Sequence, residues 1–174
     1  TVNGWYGNGI VVDGAGFLLN NEMDDFSSKP GFPNKYGLVG NSANAIEPKK
    51  RMLSSMTPTI VEDSEGELYL VLGSPGGSTI ITTVAQIIIN VVDYGMSLKE
   101  AISNPRFHHQ YKPNIIYLEK DQFNTIVKNE LSIMGHKLKE RESIGAANSI
   151  FHNPTLNLSI GVADERRGGV AVGK

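Results

Sequence analysis

The sequence predicts an α+β domain in which helices cover β-sheets, and three observations support this class. Short runs of β-branched and apolar residues, separated by turn residues, are typical of strands and occur in both halves of the chain. Between them, the apolar residues of positions 80–92 fall on one broad helical face. The length of 174 residues suits one domain that buries about 70% of the surface its unfolded chain exposes. We therefore predict a single domain over residues 1–174.

The predicted strands are apolar runs bounded by turn residues such as Gly, Asn, Asp or Ser. They lie at residues 9–12, 17–20, 59–62, 68–72, 115–119, 137–142, 148–151 and 156–162. Positions 63–66 are typical of a hairpin turn between two of these strands. Residues 29–50 are rich in Pro, Gly and Asn and lack periodicity. This composition predicts a long loop, and long loops in compact domains are usually functional or disordered.

Three helices are predicted from periodicity and end signals. The first covers residues 80–92 and stops at Gly95; its β-branched content is high, so burial rather than propensity must stabilise it. The second starts at Ser97, where Glu100 completes a capping box, and ends before Pro105. The third covers residues 121–134 and is capped by a glycine at position 135.

Composition excludes several classes of function. The net charge is −2 and no cluster of Lys and Arg occurs, so there is no electrostatic reason to expect nucleic acid or an anionic membrane as partner. The absence of cysteine excludes disulfides, thiol catalysis and thiolate metal sites. The most apolar stretch is too short to span a bilayer, and residues 1–5 lack the features of a targeting segment. Because the chain opens with Thr1 rather than Met, we expect proteolysis, autoprocessing or trimming.

Residues 73–78, GSPGGS, follow a predicted strand and precede a predicted helix. Their N–H groups lie at the positive end of a helix dipole, where an anion is favoured. Pro75 fixes one φ angle, while Gly76 and Gly77 let the backbone approach a ligand closely. Two adjacent N–H donors can stabilise a tetrahedral oxyanion. The alternative is a plain strand-to-helix turn; a phosphate loop is disfavoured because the Gly-Lys-Ser/Thr signature is missing.

Glu22, Asp24 and Asp25 form an acidic group within residues 20–27, NNEMDDFS. On a strand, Glu22 and Asp24 would share a face and Asp25 would turn away, although we predict the strand to end here. A solvated acidic turn and a site for a substrate ammonium are both compatible with this pattern. A metal site is disfavoured, because neither calcium-loop spacing nor a nearby His is present.

Two further polar motifs have a structural and a functional interpretation. Ser54 and Ser55, within RMLSSMTPT at residues 51–59, either cap the local backbone or offer paired hydroxyls to a ligand. His108 and His109, within FHHQ at residues 107–110, would point to opposite faces of a strand, and no third metal ligand is evident. We therefore interpret the two histidines as structural.

Taken together and in this order, segments 20–27, 51–59 and 73–78 resemble the small subunit of gamma-glutamyltranspeptidase, an N-terminal-nucleophile hydrolase. The match runs across nearly the whole chain. The resemblance implies the four-layer αββα sandwich of that class, incomplete here at its N-terminus. It also implies a large subunit of the same precursor as partner, and a periplasmic or extracellular location.

The resemblance implies roles for the substrate-binding residues. Asn3, Glu22 and Asp25 would bind the α-amino group of a γ-glutamyl moiety, and the family carries Gln or Glu where this chain has Glu22. Ser54 and Ser55 would donate to its α-carboxylate, beside an Arg that the family supplies from the large subunit.

Further roles follow from the same resemblance. Gly76 and Gly77 match the glycine pair of the oxyanion hole. Residues 30–41 match a lid loop that excludes water, with Tyr36 where many bacterial members place an aromatic gate. Residues 164–169 resemble the closing Asp-x-Arg segment, which we interpret as an ion-paired tail.

Chemistry in this family begins at an N-terminal Thr released by self-cleavage; its hydroxyl attacks the γ-amide and its own α-amine serves as base. Thr1 resembles the family's second Thr, which hydrogen-bonds that nucleophile. The alternative takes Thr1 as the nucleophile itself, and the residues that follow it argue against this. We expect the chain alone to show no γ-glutamyl turnover and to expose a sheet edge or cleft.

The resemblance thus implies a gamma-glutamyltransferase, or glutathione hydrolase, that cleaves the γ-glutamyl amide of glutathione and related compounds. It would pass the acyl group through a γ-glutamyl-Thr ester to water, an amino acid or a peptide, without metal or organic cofactor. One alternative is a relative acting on poly-γ-glutamate or a cephalosporin side chain. The other is a non-catalytic fragment that binds γ-glutamyl compounds.

Overall fold

The computed structural model describes residues 2–173, which form two compact units. The first unit contains residues 2–56 and 110–113, and the second contains residues 57–109 and 114–173. The α-helices and the strands longer than a single bridge lie in the second unit, whereas short 3-10 turns and isolated bridges organise the first.

The second unit contains two β-sheets and three helices. In chain order these are β1 Thr59–Glu62, β2 Leu68–Gly73, α1 Thr79–Val92, α2 Leu98–Ser103, β3 Phe107–His108, β4 Ile116–Glu119, α3 Thr125–Ile133, β5 Leu138–Arg141, β6 Asn148–Asn153 and β7 Leu158–Val162. The larger sheet is antiparallel with the order β1-β2-β6-β7. The smaller sheet has the order β3-β4-β5, with β3 antiparallel and β5 parallel to β4. These elements confirm the predicted α+β class.

Helix α1 packs its apolar side against one face of the larger sheet. Leu70 and Leu72 alternate along β2 and therefore point to the same face, where they share a buried cluster with Val84, Ile87 and Val91 of α1. Fully burying an aliphatic side chain of this size contributes roughly 1.5–3 kcal/mol. This burial offsets the modest helix propensity of the β-branched residues, as predicted.

Two local predictions are confirmed by hydrogen bonds. In the β1–β2 hairpin, the Asp63 carboxylate accepts the N–H groups of Glu65 and Glu67 at 2.9 and 3.0 Å. At the start of α2, the Ser97 hydroxyl accepts the Glu100 N–H at 3.3 Å, and the Glu100 carboxylate accepts the Ser97 N–H at 2.9 Å. This reciprocal pair is the predicted capping box.

Three element predictions differ from the structure. The strands predicted at 9–12 and 17–20 are wrong: these segments share one antiparallel bridge, Val11 with Leu18, and no third segment within residues 2–173 extends it into a sheet. The third helix begins at Thr125 rather than 121, because Asp121 has a φ of 58° and the Asn124 side chain caps the Val127 N–H. Strand β3 was not predicted, since two residues carry no periodic signal.

A buried ion network stabilises the second unit. Arg106 and Asp164, each 1% exposed, form an ion pair at 2.8 Å. Arg166 pairs with Glu119 at 2.6 Å, and Glu119 also accepts the backbone N–H groups of Arg106 and Ile144. The predicted ion-paired tail is therefore confirmed, and each buried charge has a partner of opposite sign.

The first unit lacks an apolar core of this kind. Among its described residues, Phe26 is the one buried apolar side chain. Two 3-10 turns, Glu22–Asp25 and Ser42–Asn44, are joined by the Asn44 amide, which donates to the Asp25 carbonyl at 2.8 Å. None of the helices described in the chain has the length and apolar character needed to cross a bilayer.

Candidate active site

The predicted binding residues of the first unit begin at its acidic turn. Glu22 and Asp25 open and close the 3-10 turn Glu22–Asp25. Residues three apart on a 3-10 turn lie on the same side, so the turn brings Glu22 and Asp25 together. Because residues 22–25 form a 3-10 turn and no strand, the grouping of Glu22 with Asp24, which applied only to a strand, does not arise. The Asn20 side chain starts the turn by accepting the Glu22 N–H at 3.1 Å.

Hydrogen bonds link this turn to three other predicted residues. The Ser55 hydroxyl donates to Glu22 Oε1 at 3.0 Å, and the Ser55 N–H approaches the same oxygen at 3.4 Å. The Asn3 amide lies 3.4–3.5 Å from the two Asp25 carboxylate oxygens. The Tyr36 hydroxyl donates to Asn3 Oδ1 at 3.0 Å. We call these five residues the carboxylate cluster.

Ser54, the sixth predicted binding residue, is exposed and makes no hydrogen bond to another residue within 2–173. Its neighbour Ser55 uses its hydroxyl on Glu22. The two hydroxyls are therefore not equivalent in this structure: one is already engaged with a carboxylate, and the other is open to solvent.

The cluster and the neighbouring Asp24 together carry excess negative charge. Burial, followed by the charges of Glu22 and Asp24, raises the pKa of Asp25, and Lys35 and the Asn3 amide reduce the shift without cancelling it. Asp24 Oδ2 is buried and accepts no hydrogen bond from the described residues. Carboxylates that are crowded and incompletely paired are stabilised by a cation that reaches them. The arrangement can therefore hold an ammonium group.

The loop that carries Tyr36 is folded on itself within the first unit. The Asn34 side chain accepts the N–H groups of Tyr36 and Leu38, and the Gln110 amide donates to the Tyr36 carbonyl at 2.8 Å. Gly31 donates to the carbonyl of Gly40 at 2.9 Å, which closes the base of the predicted lid. The tyrosine hydroxyl is thereby held on Asn3 rather than directed into solvent.

In the second unit, the predicted oxyanion turn joins β2 to α1. Gly76 and Gly77 have φ angles of 141° and 57°, values that L-residues with a side chain rarely adopt. Within residues 2–173, neither the Gly76 N–H nor the Gly77 N–H donates to a protein acceptor. Both donors precede the first turn of a 14-residue helix, so they are available to an anion.

The remaining sequence-based assignments concern Thr1, the two adjacent histidines and a possible metal site. Thr1 lies outside the described residues. His108 is buried, with its Nδ1 2.8 Å from the Thr82 hydroxyl, and His109 Nε2 lies 3.0 Å from Asn114 Oδ1. These contacts agree with the structural interpretation. No three His, Cys, Asp or Glu side chains of the described residues converge as a metal site.

Sequence reasoning missed the polar groups that hold the oxyanion turn. Ser74 and Thr79 each donate a hydroxyl hydrogen bond to a carbonyl inside the turn. A hydroxyl residue on either side of the Gly76-Gly77 pair is the signal that was available, but Ser and Thr are so frequent at helix starts that their presence indicates little by itself.

Comparison with known proteins shows what this chain resembles. The family model described as gamma-glutamyltranspeptidase matches residues 1–174. The chain is 50% identical over 166 residues to the glutathione hydrolase proenzyme of Escherichia coli, covering 95% of this chain and 28% of that protein. A variant of Helicobacter pylori gamma-glutamyltranspeptidase superposes with a TM-score of 0.89 at 52% identity, covering 96% of this chain and 90% of that chain. The Pseudomonas nitroreducens enzyme gives the same TM-score at 45% identity, covering 100% and 90%.

These neighbours define the class of fold as that of the N-terminal-nucleophile hydrolases, as predicted. The chain belongs to the gamma-glutamyltranspeptidase family. It spans only 28% and 26% of the length of two curated relatives that it matches, although it covers 90% of the H. pylori and P. nitroreducens chains.

Proposed function

We propose that the complete protein is a gamma-glutamyltransferase that cleaves the γ-glutamyl amide of glutathione and related compounds. The observation that carries this proposal is the carboxylate cluster in a chain of this family. Its crowded acidic groups suit the α-ammonium that distinguishes a γ-glutamyl donor from a simple acyl donor.

The cluster is assigned to the glutamyl end of the donor. Asn3, Glu22 and Asp25 bind the α-ammonium, and the two hydroxyls of Ser54 and Ser55 serve the α-carboxylate. For Ser55 this role requires its hydroxyl to exchange one acceptor for another, because it now donates to Glu22 at 3.0 Å. Tyr36, held on Asn3 at 3.0 Å, acts as the gate of the lid.

The chemical step follows the family pattern. A threonine hydroxyl oxygen forms a bond to the γ-carbonyl carbon, and its proton passes to the threonine α-amine. The Gly76 and Gly77 N–H groups donate to the oxyanion that develops. The amide C–N bond then breaks, the leaving nitrogen takes the proton, and a γ-glutamyl ester remains. Water, an amino acid or a peptide amine attacks the ester and releases the threonine.

The remaining parts of the proposal rest on the resemblance. Thr1 orients the nucleophile. Residues 1–174 act as one domain of the small subunit, and the partner is the large subunit of the same precursor. The chain covers 90% of the H. pylori chain but 28% of the E. coli proenzyme, and this difference supports a precursor that is divided into two chains. The location is periplasmic or extracellular.

Intact mass spectrometry of the complete protein tests the reaction. After brief incubation with a γ-glutamyl anilide, we expect one chain to gain the mass of a γ-glutamyl group on a threonine. Binding of the anilide without an adduct or product would instead favour the non-catalytic alternative. An adduct on Thr1 would show that Thr1 is the nucleophile.

A paired-substrate experiment tests the ammonium site. A glutaryl anilide has the same carbon chain and keeps the terminal carboxylate, but it lacks the α-ammonium. We expect Asp25→Asn to reduce kcat/KM for the γ-glutamyl anilide by about 10- to 100-fold, the range for a charge-assisted hydrogen bond, and to leave the glutaryl anilide within about twofold. Asp13→Asn removes an exposed carboxylate of the same unit and is the matched control. Equal losses on both substrates would contradict the assignment.

A further inference from the structure

The two candidate oxyanion donors belong to two consecutive peptide groups. The Gly76 N–H shares a planar peptide with the Pro75 carbonyl, and the Gly77 N–H shares one with the Gly76 carbonyl. Because the C=O and N–H of a trans peptide point in opposite directions, a hydrogen bond that holds the carbonyl also fixes the direction of the N–H. The hydrogen bonds accepted by the Pro75 and Gly76 carbonyls therefore determine the directions of the Gly76 and Gly77 N–H groups.

The first of these peptides is held by Ser74. Its hydroxyl donates to the Pro75 carbonyl at 2.7 Å and accepts the Ala146 N–H at 2.9 Å. A hydroxyl has one proton to donate and lone pairs to accept with, so both bonds form at the same time. Ser74 thus ties the Pro75–Gly76 peptide to a second segment of the same unit.

The second peptide is held by Thr79. Its hydroxyl donates to the Gly76 carbonyl at 2.9 Å, and its backbone N–H donates to the same oxygen at 3.2 Å. Thr79 is 3% exposed, so solvent does not compete for this bond. Its own carbonyl accepts the Thr82 hydroxyl at 3.1 Å, which anchors Thr79 in the first turn of α1.

The segment behind Ser74 is itself rigidly held. At Gly145 a Cβ atom would lie 2.7 Å from Ser74 Oγ and 2.5 Å from Thr83 Oγ1, so the close approach requires glycine. The N–H groups on either side of it, those of Ile144 and Ala147, donate to the buried carboxylates of Glu119 and Asp164 at 2.8 and 2.7 Å. The ion network therefore holds residues 144–147, the segment whose Ala146 N–H donates to the Ser74 hydroxyl.

We propose that Ser74 and Thr79 are positioning residues that fix the two peptide planes carrying the oxyanion donors. This inference rests on the proposed function. Gly76 and Gly77 have no side chain, which lets them adopt these φ angles but also lets their peptide planes rotate. The hydrogen bonds from the two hydroxyls restrict that rotation. Donors that are already aimed at the developing charge need no reorganisation during the reaction, which is where such groups have most of their effect.

The test uses the complete, processed protein and three variants. Ser74→Ala and Thr79→Val each delete one hydroxyl, whereas Thr79→Ser keeps the hydroxyl and loses a methyl group. Ser78→Ala is the matched control, because this hydroxyl lies in the same turn and makes no hydrogen bond to another residue within 2–173. Rates are divided by the number of sites that give an acyl burst with a γ-glutamyl anilide, which corrects for incomplete processing.

We expect kcat to fall about 10- to 100-fold in Ser74→Ala and Thr79→Val, somewhat less than the loss of a whole oxyanion donor, while KM stays within about twofold. Thr79→Ser and Ser78→Ala retain kcat within about threefold of the unchanged protein. A γ-glutamyl boronate, whose tetrahedral adduct mimics the transition state, loses affinity in parallel with kcat, whereas a non-reactive γ-glutamyl analogue does not.

Two results would overturn the proposal. The first is that Ser74→Ala and Thr79→Val both have the same kcat as the control Ser78→Ala. The other is a loss of kcat with unchanged boronate affinity, which would assign the effect to general destabilisation. If one deletion fails to fold, the other and the Thr79→Ser comparison still decide the matter. An unchanged protein that neither forms an adduct nor releases product would instead contradict the proposed function.

Discussion

The two units of this chain hold their carboxylates in opposite ways. In the second unit, Asp164 and Glu119 are buried beside arginines and accept backbone N–H groups. In the first unit, Asp25 lies beside Glu22 and Asp24, and its pKa is raised. The comparison shows two uses of buried charge: a paired network that stabilises a fold, and a crowded cluster that remains available to a cation.

The units also differ in what surrounds these charges. The second unit has an apolar cluster between α1 and the larger sheet, whereas the first has Phe26 and a set of polar contacts to its backbone. Trp5 and Tyr6 of the first unit are 91% and 71% exposed. Binding groups are thus carried on a weakly packed segment, and the oxyanion turn is carried on a firmly packed one.

The largest difference between the two units is expected for a matched pair of Asp-to-Asn substitutions. We expect Asp164→Asn to lower the free energy of unfolding of the second unit by about 3–5 kcal/mol, because the Arg106 charge is left buried without its counter-ion. We expect Asp25→Asn to cause no loss, since it relieves repulsion. Thermal unfolding of the complete protein measures both. Glu142→Ala, which removes an exposed ion pair with Lys120, is the control and should not change the melting temperature.

Acid unfolding gives the same contrast as a dependence on pH. Burial alone would raise the pKa of Asp164, but the N–H groups of Arg166 and Ala147 and the Arg106 side chain outweigh it, so the pKa is lowered. The pKa of Glu119 is lowered too: burial opposes ionisation, and Arg166 with the Ile144 and Arg106 N–H groups prevails.

A lowered folded-state pKa stabilises the fold above the unfolded pKa of about 4, and this stability is lost as pH falls through the folded value. We therefore expect the second unit to lose stability below about pH 4. For Asp25 the sign is reversed, because its raised pKa favours the protonated form in the fold. Denaturant midpoints recorded from neutral pH to pH 2 test this, and a second unit that gains stability in acid would contradict it.

Amide hydrogen exchange rates compare the stability of the two units in the unsubstituted protein. We expect the amides of Leu72 in β2 and Ile87 in α1 to exchange at least about 100-fold more slowly than that of Phe26, after correction for intrinsic rates. The reason is that opening the second unit exposes its apolar cluster, whereas opening the 3-10 turn of the first exposes little. Equal protection would show that the two units open together.

The raised pKa of Asp25 predicts the pH dependence of donor binding. Only the ionised carboxylate attracts an ammonium group, so KM for a γ-glutamyl anilide should rise as pH falls, by up to about tenfold per pH unit below the relevant pKa. The rise should begin at a higher pH than expected for an unperturbed Asp, about 3.9. In Asp25→Asn this rise should disappear. A glutaryl anilide, which lacks the ammonium group, serves as the control substrate.

The smallest expected effect is at the start of α2. Ser97→Ala removes the hydroxyl that caps the Glu100 N–H and should destabilise the second unit by about 1 kcal/mol. Activity per acylated site should stay unchanged, since α2 carries none of the proposed site residues. Ser97→Thr keeps a capping hydroxyl and should recover most of the loss. A Ser97→Ala protein with full stability would show that the cap contributes nothing in this context.

Much of the second unit could be predicted from sequence because its signals are local. The apolar period of residues 80–92, the Ser97–Glu100 capping box and the Asp63 turn each depend on residues within a few positions of one another. The first unit could not be predicted in this way. Residues 9–12 and 17–20 have the composition of strands, yet strands persist only where further segments pair with them, and here a single bridge forms.

The candidate site shows the same division between local and distant information. The glycine pair and the acidic turn were recognisable as motifs, and the resemblance connected them. The link between Ser55 and Glu22, 33 residues apart, and the link between Tyr36 and Asn3 were not visible in either segment. Nor was the correct pairing of acidic groups, because it depends on whether residues 22–25 form a strand or a 3-10 turn.

By itself, the sequence determined the α+β class, the helices and most strands of the second unit, and the family to which the chain belongs. The reason is that helix and strand propensity, apolar periodicity and short sequence motifs are properties of neighbouring residues. Only the tertiary structure decided which carboxylates are paired and which are left crowded, and which hydroxyls hold the peptide planes of Gly76 and Gly77. Those outcomes depend on the distance between atoms that are far apart in the chain. In the second unit that distance is set by the apolar core and the ion network, and in the first unit by the 3-10 turns and the hydrogen bonds between them.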